Sequence, residues 1–291
     1  MPSTTAAATT RDGVALLTRH WSTAEPPRAA VLLVHGLGEH AGRYEHVGEQ
    51  LAAAGIETFA WDHRGFGASG GERAWVDRWE RFDNDVEDRL AAARSVRPGL
   101  PIVVYGHSMG GLIALGYALT ERPRPDLLVL SAPGIEDNLA GWKRRAAPIL
   151  AAIAPHLRVS NGISSAMLSR DAGRQQAADH DPLMLSTSTT QFGALAFAAQ
   201  PAVRAALQRL DVPTLVIHGL DDPVVPPRAT ERLGMLPGVT RRAYPGIRHE
   251  LHNEPEGPAI IADVIAWIDA ELAAMDSRSG RQATRTPSPT P

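Results

Sequence analysis

Residues 102–111 read Ile-Val-Val-Tyr-Gly-His-Ser-Met-Gly-Gly. The four apolar residues predict a short buried strand, and a helical run begins at Met109. Between them, Ser108 is the centre of a G-x-S-x-G motif, whose glycines allow a strained turn close to neighbouring backbone. A serine in any glycine-rich turn is the alternative, but the strand before it and the helix after it favour an exposed nucleophile.

A serine nucleophile needs a general base, and the base needs an acid that orients it. Hydrolases with this serine turn supply the acid and then the histidine later in the chain. His249 precedes the last predicted helix and fits the position of the base. Asp221 and Asp222 both follow the predicted strand at Thr214–Ile217, so two adjacent residues are candidates for the acid.

Acyl transfer also needs hydrogen-bond donors for the developing oxyanion. The amide that follows the nucleophile, that of Met109, is the first expected donor. The second is expected from a loop after an early strand, and His35-Gly36-Leu37-Gly38 follows the strand at Ala30–Val34. A plain strand end is the alternative, but a glycine-rich bend exposes an amide, which favours Leu37 as the second donor.

Apolar, partly β-branched runs alternate with helical stretches along most of the chain. The predicted strands lie at Ala30–Val34, Glu57–Trp61, Ile102–Tyr105, Leu127–Leu130 and Thr214–Ile217. The predicted helices lie near Tyr44–Ala54, Trp79–Arg94, Met109–Thr120, Arg228–Leu236 and Pro258–Leu272. This alternation predicts the α/β class, with a mostly parallel central sheet flanked by helices. With the serine turn, it predicts the α/β-hydrolase fold.

The alternation stops between Leu130 and Thr214, where we find helical and polar pieces and no strand-like run. That stretch is too long for a plain loop. We expect residues 135–201 to form an inserted helical cap, or lid, on a core made of residues 11–134 and 202–275. Residues 1–10 are expected to be a flexible N-terminus or an edge strand, and residues 276–291, rich in Ser, Thr, Pro and Arg, a disordered tail.

Composition excludes several classes of protein. The 291 residues are 44% hydrophobic and 21% charged, with a net charge of −3, so a nucleic-acid partner is not expected. There is no cysteine, which excludes disulfides and thiolate nucleophiles, and the histidines lack metal-ligand spacing. Neither a secretory signal nor an apolar run of bilayer length is present, so we expect a cytoplasmic protein, soluble or peripherally bound to membrane.

Further motifs are specific to one family. They are His35-Gly36-Leu37-Gly38-Glu39-His40-Ala41-Gly42-Arg43-Tyr44, Asp62-His63-Arg64-Gly65-Phe66-Gly67-Ala68-Ser69, Asp181-Pro182-Leu183 and His249-Glu250-Leu251-His252-Asn253-Glu254-Pro255. Together with the serine turn, they resemble the monoacylglycerol lipases, a family of the α/β-hydrolase superfamily that is itself similar to serine aminopeptidases of the S33 type and to lysophospholipases. The resemblance covers nearly the whole chain except its first residues and its tail.

The resemblance implies hydrolysis of monoacylglycerols to glycerol and fatty acid, with no cofactor or metal. It implies a triad of Ser108, Asp222 and His249, with Leu37 and Met109 as oxyanion donors. The family pattern places the acid three residues after the glycine that ends the strand, which from Gly219 is Asp222, and Pro223 supports this because the residue before a proline is held extended. Residues implied to shape the polar pocket for glycerol are Glu39, Arg43 and His252, although Glu39 is equally a structural partner for Arg43.

One departure from the family pattern leaves the substrate open. The tyrosine that the family often carries shortly before Asp-Pro-Leu is missing from residues 176–180, which weakens the case for strict monoglyceride preference. A lysophospholipase or general carboxylesterase is therefore the alternative, and a non-catalytic interaction protein is less favoured because every triad candidate is present. The oligomeric state is not indicated.

The cap suits a lipid ester substrate. One face of a predicted helix collects apolar side chains, at Leu139, Trp142, Ala146, Ile149, Leu150 and Ile153, with Arg144 opposite. This pattern is typical of a helix at a membrane surface, and equally of a helix that packs on the core. Pro148 is expected to divide the segment into two short helices.

Overall fold

The computed structural model describes the backbone of residues 2–283. Its main sheet has eight strands in the order β1-β2-β4-β3-β5-β6-β9-β10, and a two-stranded sheet pairs β7 with β8. The strands are β1 Thr4–Thr9, β2 Ala15–Trp21, β3 Ala29–Val34, β4 Ile56–Trp61, β5 Ile102–His107, β6 Leu127–Ser131, β7 Arg158–Ser160, β8 Thr187–Thr189, β9 Thr214–Gly219 and β10 Val239–Tyr244. The helices are α1 Glu45–Ala53, α2 Glu80–Val96, α3 Met109–Ala118, α4 Gly141–Ile153, α5 Ser165–Leu168, α6 Ala172–His180, α7 Thr190–Ala206 and α8 Gly257–Ala283.

The main sheet is parallel from β4 to β10, and β2 joins β4 in the antiparallel sense. At its edge, β1 and β2 form an antiparallel hairpin whose turn contains Gly13 with φ +87°. The α/β-hydrolase architecture predicted from the sequence is therefore confirmed, and the first residues supply an edge strand.

Side chains of the central strands alternate between two hydrophobic layers, as expected for a sheet covered on both faces. On β3, Leu32 and Val34 join the layer that contains α2, α3 and part of α7. Val31 and Leu33 join the opposite layer, with α1 and α8. Both faces of β3 are thus removed from water, which explains why the strand is apolar at every position.

The parallel sheet places its functional loops together. The loops after β3, β5 and β9 leave from the same edge, since parallel strands have their carboxyl ends side by side. These loops carry the residues after Val34, Ser108 and Asp222, and the segment after β10 adds His249. The topology alone therefore assembles residues that are far apart in the sequence.

The segment between β6 and β9 holds α4, β7, α5, α6, β8 and α7. The expectation that it contains no strand is wrong, because β7 and β8 pair in antiparallel register. Each has three residues, and β7 is fully exposed, so neither produces the apolar alternation by which strands are found. Pro148 also lies inside a single helix, α4, which packs on α7.

Two further boundaries differ from the sequence-based expectations. The predicted helix near Arg228–Leu236 consists of two short 3₁₀ turns, because Pro226, Pro227 and Gly234 oppose a regular α-helix. Helix α8 extends to Ala283, beyond the predicted start of the tail at residue 276. Extending an existing helix costs little, and Ser277 Oγ donates to Ala273 O within it. The rest of the predicted tail, residues 284–291, lies outside the described residues.

Gly48 tests the packing of α1 on β2. A Cβ added there would collide with the indole ring of Trp21, which is completely buried. We predict that Gly48→Ala lowers the free energy of unfolding by about 1–3 kcal/mol, because the overpacking cost exceeds the helix propensity of alanine. Gly193→Ala in α7 is the matched control, since its Cβ would meet nothing within 4 Å. It is expected to add about 0.5–1 kcal/mol. Urea unfolding of both variants measures this, and destabilisation of equal size in both would contradict the packing argument.

Candidate active site

Ser108 stands on a sharp turn between β5 and α3. Its φ is +51°, a left-handed value that costs a non-glycine residue about 1–3 kcal/mol. The turn exists because α3 lies very close to β3: a Cβ on Gly110 would collide with the carbonyl oxygen of Val34. Leu112 N donates to Ser108 O at 3.0 Å, the first hydrogen bond of the helix. The N–H of Met109 therefore precedes the helical ladder and is available to a ligand.

The three predicted triad side chains lie in one hydrogen-bonded line. His249 Nε2 is 2.8 Å from Ser108 Oγ, and His249 Nδ1 is 2.7 Å from Asp222 Oδ2. The imidazole is buried, with 2% of its residue surface exposed. This geometry allows His249 to accept the hydroxyl proton of Ser108 while Asp222 fixes the opposite ring nitrogen as N–H.

Four donors hold Asp222 in place. Its Oδ1 accepts the N–H groups of Val224 and Val225 at 2.8 and 3.0 Å, and its Oδ2 accepts from His249 and from His218 at 3.1 Å. The neighbouring Asp221 is exposed, and its backbone N–H donates to Ile247 O. Of the two adjacent aspartates, only Asp222 is brought to the histidine.

The charges of the line support each other. Burial raises the pKa of Asp222, but the nearby imidazoles of His249 and His218 outweigh it and hold that pKa well below its usual range. Burial lowers the pKa of His249, but the carboxylate of Asp222 outweighs it, so the His249 pKa lies above the usual value. His249 is thereby a stronger base than a free imidazole.

The loop after β3 lies against the nucleophile, since a Cβ on Gly36 would stand 3.2 Å from Ser108 Cβ. His35 Nε2 accepts the N–H of His63 at 2.8 Å, so the proton of its ring is on Nδ1. That Nδ1–H donates to Gly36 O at 2.8 Å. Because Gly36 O and the Leu37 N–H point to opposite sides of one trans peptide unit, the bond turns the Leu37 N–H away from His35. Leu37 itself lines the cavity beside Ser108.

Burial keeps the histidines around this loop neutral. It lowers the pKa of His35 to about 3, and the pKa of His107 to about 3. The His107 ring lies 4.9 Å from that of His249, and its Nδ1 is 3.2 Å from Ser131 Oγ. The neutral state of His35 preserves the tautomer that its hydrogen bonds require.

A buried charge cluster of Glu39, Arg43 and Glu250 lies behind the loop of residues 35–40, which holds the predicted oxyanion donor Leu37 (the oxyanion loop). Glu39 Oε1 accepts from Gly36 N at 2.5 Å and from the Tyr44 hydroxyl at 2.6 Å. Arg43 donates to Glu39 Oε2 at 3.1 Å and binds Glu250 with two hydrogen bonds at 2.5 and 2.8 Å. Burial raises the pKa of Glu39 despite Arg43, whereas Arg43 overcomes the burial of Glu250 and lowers its pKa.

The predicted glycerol-pocket residues are therefore divided between two positions. Glu39 and Glu250 line the cavity in front of Ser108, together with polar groups of the cap. Arg43 lies between these two carboxylates, and the His252 ring stacks on Tyr44 with centroids 4.4 Å apart. Arg43 and His252 support the cavity wall from behind and are absent from its described lining.

The cavity itself has a volume of about 260 Å³ and mixed chemistry. Its apolar lining comes from Leu37, Ile163, Leu168, Ala178, Met184 and Leu185, and its polar lining includes Asn161, Ser165, Asp179 and Asp181. Apolar and polar groups that converge on an activated serine suit an ester with a hydrocarbon chain and a hydroxylated head.

Part of the cap is bonded to the oxyanion loop. Leu185 N donates to Gly38 O at 2.7 Å, and a Cβ on Gly38, whose φ is +75°, would lie 2.5 Å from Leu185 O. His40 Nε2 is 2.8 Å from Asp181 Oδ2. The segment 181–185 therefore fixes the loop from the side opposite to β3.

Sequence reasoning missed several of these residues. His218 stands in the stretch His218-Gly219-Leu220-Asp221-Asp222, and its position four residues before the acid was a usable signal. Asn161 and Asp179 carried no signal, because their cap elements are short and polar and only the tertiary fold brings them to the serine.

The described part of the chain lacks two features. Residues 2–283 contain no group of three or more His, Asp or Glu side chains that could hold a metal ion. No helix in the same range is both long and apolar enough to cross a membrane.

Comparison with known proteins places this geometry in a family. The family model for serine aminopeptidase S33 matches residues 25–256. A monoacylglycerol lipase from Mycolicibacterium smegmatis is 34% identical, over 89% of this chain and 95% of the relative, and the human monoglyceride lipase is 32% identical, over 92% and 91%. The crystal structure of the Paleococcus ferrophilus monoacylglycerol lipase is 28% identical and superposes with a TM-score of 0.77, over 87% of this chain and 97% of that one. The chain belongs to the serine aminopeptidase S33 family of α/β-hydrolases, among its monoacylglycerol lipases.

Proposed function

We propose that this protein hydrolyses monoacylglycerols to glycerol and free fatty acid through an acyl-enzyme intermediate. The observation that carries the proposal is the hydrogen-bonded line from Ser108 through His249 to Asp222, which opens into a cavity of mixed polarity. Family membership supports the same reaction, since the relatives named above are monoacylglycerol and monoglyceride lipases.

In the proposed reaction, Ser108 Oγ attacks the ester carbonyl carbon while its proton passes to His249 Nε2. Asp222 stabilises the imidazolium that forms. The tetrahedral intermediate collapses when the protonated His249 gives its proton to the glycerol oxygen, whose bond to the acyl carbon breaks. Water, deprotonated by His249, then attacks the acyl-enzyme and releases the fatty acid and Ser108.

The oxyanion of each tetrahedral intermediate would be bound by the N–H groups of Leu37 and Met109. The Met109 amide is outside the helical ladder, and the Leu37 amide is turned by the hydrogen bond between His35 and Gly36 O. Removing one such donor from a hydrolase costs about 10²- to 10³-fold in kcat, which sets the scale of their role.

The head group of the substrate would lie at the polar end of the cavity. Glu39 and Glu250 border it on the core side. Arg43 acts through these two carboxylates, and His252 acts through Tyr44, whose hydroxyl donates to Glu39. Asn161 and Asp179 add hydrogen-bonding groups from the cap, at the side where the family's tyrosine is missing. These groups are suited to the hydroxyls of glycerol. A phosphodiester anion would meet several carboxylates there.

The first prediction concerns nucleophile and substrate together. A fluorophosphonate probe is expected to label Ser108, and Ser108→Ala is expected to abolish labelling and the release of oleate from monoolein, because within residues 2–283 no other hydroxyl is bonded to His249. Labelling that survives the substitution would overturn the assignment of Ser108 as the nucleophile.

The same wild-type protein tests the substrate. Its kcat/KM for monoolein is expected to exceed that for lysophosphatidylcholine; the opposite ranking would favour a lysophospholipase.

The second prediction separates the two adjacent aspartates. Asp222→Asn is expected to lower kcat on a soluble nitrophenyl ester by a factor on the order of 10⁴, because an amide favours the wrong imidazole tautomer. Asp221→Asn is the matched control one residue away, exposed and without contact to His249, and is expected to change kcat less than threefold (roughly ±0.5 kcal/mol). Steady-state rates decide between them, and the reverse ranking would show that Asp221 is the acid.

For the cap, we propose that residues 135–201 act as a lid whose helix α4 contacts the lipid surface. The apolar face predicted for α4 is exposed, with 68% of Trp142, 62% of Ile149 and 77% of Ile153 accessible to solvent. Its opposite side contributes the buried Ala147 and Ala151, and α4 packs on α7. An exposed apolar patch of large side chains that points away from the core is suited to a peripheral membrane contact.

A charge on that face tests the lid. We predict that Trp142→Asp lowers the rate on emulsified monoolein at least tenfold more than the rate on a short soluble ester, since it removes an aromatic anchor and places at the lipid surface a charge that is costly to desolvate. Lys143→Ala, beside it on the same exposed turn, is the control for general damage to α4. Equal losses on both substrates would contradict membrane contact through this face.

A further inference from the structure

A second histidine is bonded to the same oxygen of Asp222 as His249. His218 Nε2 lies 3.1 Å from Asp222 Oδ2, while His249 Nδ1 lies 2.7 Å from it. His218 comes from the end of β9 and is completely buried. It touches neither Ser108 nor the described lining of the cavity, so it has no part in the proposed reaction as described so far.

The contacts of His218 fix which of its nitrogens carries a proton. Nε2 faces two acceptors, Asp222 Oδ2 and the carbonyl oxygen of Val225, both at 3.1 Å, so it must be N–H. Nδ1 lies 3.0 Å from Thr230 Oγ1. Whether the threonine hydroxyl donates to Nδ1 or to Pro227 O, 3.1 Å away, His218 Nε2 donates to the carboxylate.

A charged group lies at the far end of the chain of contacts. Arg241, on β10, donates from Nε to Thr230 Oγ1 at 3.0 Å. The positive guanidinium strengthens the threonine hydroxyl as a donor, and when that hydroxyl donates to His218 Nδ1 it also strengthens the Nε2–H of the same ring as a donor. The line Arg241–Thr230–His218–Asp222–His249–Ser108 therefore runs from the edge strand of the sheet to the nucleophile.

We infer that His218, held by Thr230 and Arg241, is a positioning residue for Asp222. It fixes the carboxylate oxygen that Asp222 shares with His249, and it moderates the basicity of His249. The inference rests on the proposed role of the triad. Two donors on one oxygen prevent the carboxylate from rotating, so His249 keeps one orientation toward Ser108. They also divide the electron density of that oxygen, so His249 is a weaker base than a single contact would make it.

The direction of the effect follows from the groups around the triad. The groups around His249 lie on several elements: Asp222 in the β9 loop, His107 in the serine turn, Glu39 in the oxyanion loop with Arg43 behind it, and Glu250 in the same loop as His249. Removing the His218 N–H leaves all of these unchanged. Asp222 Oδ2 then interacts with His249 alone, which stabilises the imidazolium and raises the pKa at which His249 loses its proton.

The experiment is the pH dependence of kcat/KM on a soluble nitrophenyl ester, which reports the free-enzyme pKa of the base. H218F keeps a planar ring and removes the donor. It is expected to lose about 10- to 100-fold in kcat/KM, the range for one hydrogen bond to a charged group, and to shift the acidic limb upward by roughly half a unit to one unit. H218Q retains an N–H donor and is expected to restore most of both.

Control variants separate this role from a structural one. T214V removes a buried hydroxyl at the start of β9, which donates to Val212 O and not to Asp222, and is expected to leave the limb in place. The inference would be overturned if the acidic limb of the kcat/KM profile of H218F coincided with that of the wild type. It would also be overturned if H218F and H218Q had the same acidic limb and lost kcat/KM equally. If H218F does not fold, T230V decides: a smaller upward shift supports the inference, and an unmoved limb overturns it.

Failure of the inference is distinguishable from failure of the proposed function. The soluble ester and the fluorophosphonate probe report serine chemistry whatever the natural lipid is. A wild-type protein that hydrolyses the ester while its limb is insensitive to His218 would remove only the positioning role. Labelling that persists in Ser108→Ala would remove the triad, and the inference with it.

Discussion

The close contact between α3 and β3 is the constraint on which the site depends. Gly110 lies against the Val34 carbonyl, where no side chain fits, and Gly36 approaches Ser108 in the same manner. This proximity forces Ser108 into a left-handed conformation that it would not adopt alone. The apolar layers on both faces of β3 and β5 supply the stability that holds the strain. In return, Ser108 lines the cavity, and the Met109 N–H next to it stays outside the helical ladder.

Buried charges are organised around that turn in two groups, each held by its own hydrogen-bond donors. Asp222 is surrounded by four donors, and Arg43 lies between the carboxylates of Glu39 and Glu250. A lone buried carboxylate would take up a proton, so these partners are what keep Asp222 ionised. The second group also anchors the oxyanion loop, because Glu39 accepts the N–H of Gly36. The same carboxylate, that of Glu39, therefore pairs with Arg43 and fixes the conformation of the loop at Gly36.

The cap has two contrasting attachments. Its segment 181–185 is bonded to the oxyanion loop at Gly38 and His40, which ties the polar end of the cavity to the core. Its helix α4 packs on α7 through small side chains and leaves Trp142 and Ile153 in solvent. The cap is therefore fixed close to Ser108 at one end and exposes large apolar side chains at the other.

The sequence by itself determined the class, the order of the central strands, and the serine and histidine candidates, since elbow glycines and apolar strands are local signals. It predicted neither the strands of the cap nor the unbroken α4, because these depend on pairing and packing with distant residues. Between Asp221 and Asp222, residue spacing gave a preference, and only the tertiary structure brought one of them to His249. His218 likewise acquires its position through the β9 loop, which folds Asp222 back onto it. The fold decides which residues meet when they are far apart in the chain or when a loop folds one back onto the other, because no local sequence pattern encodes such contacts.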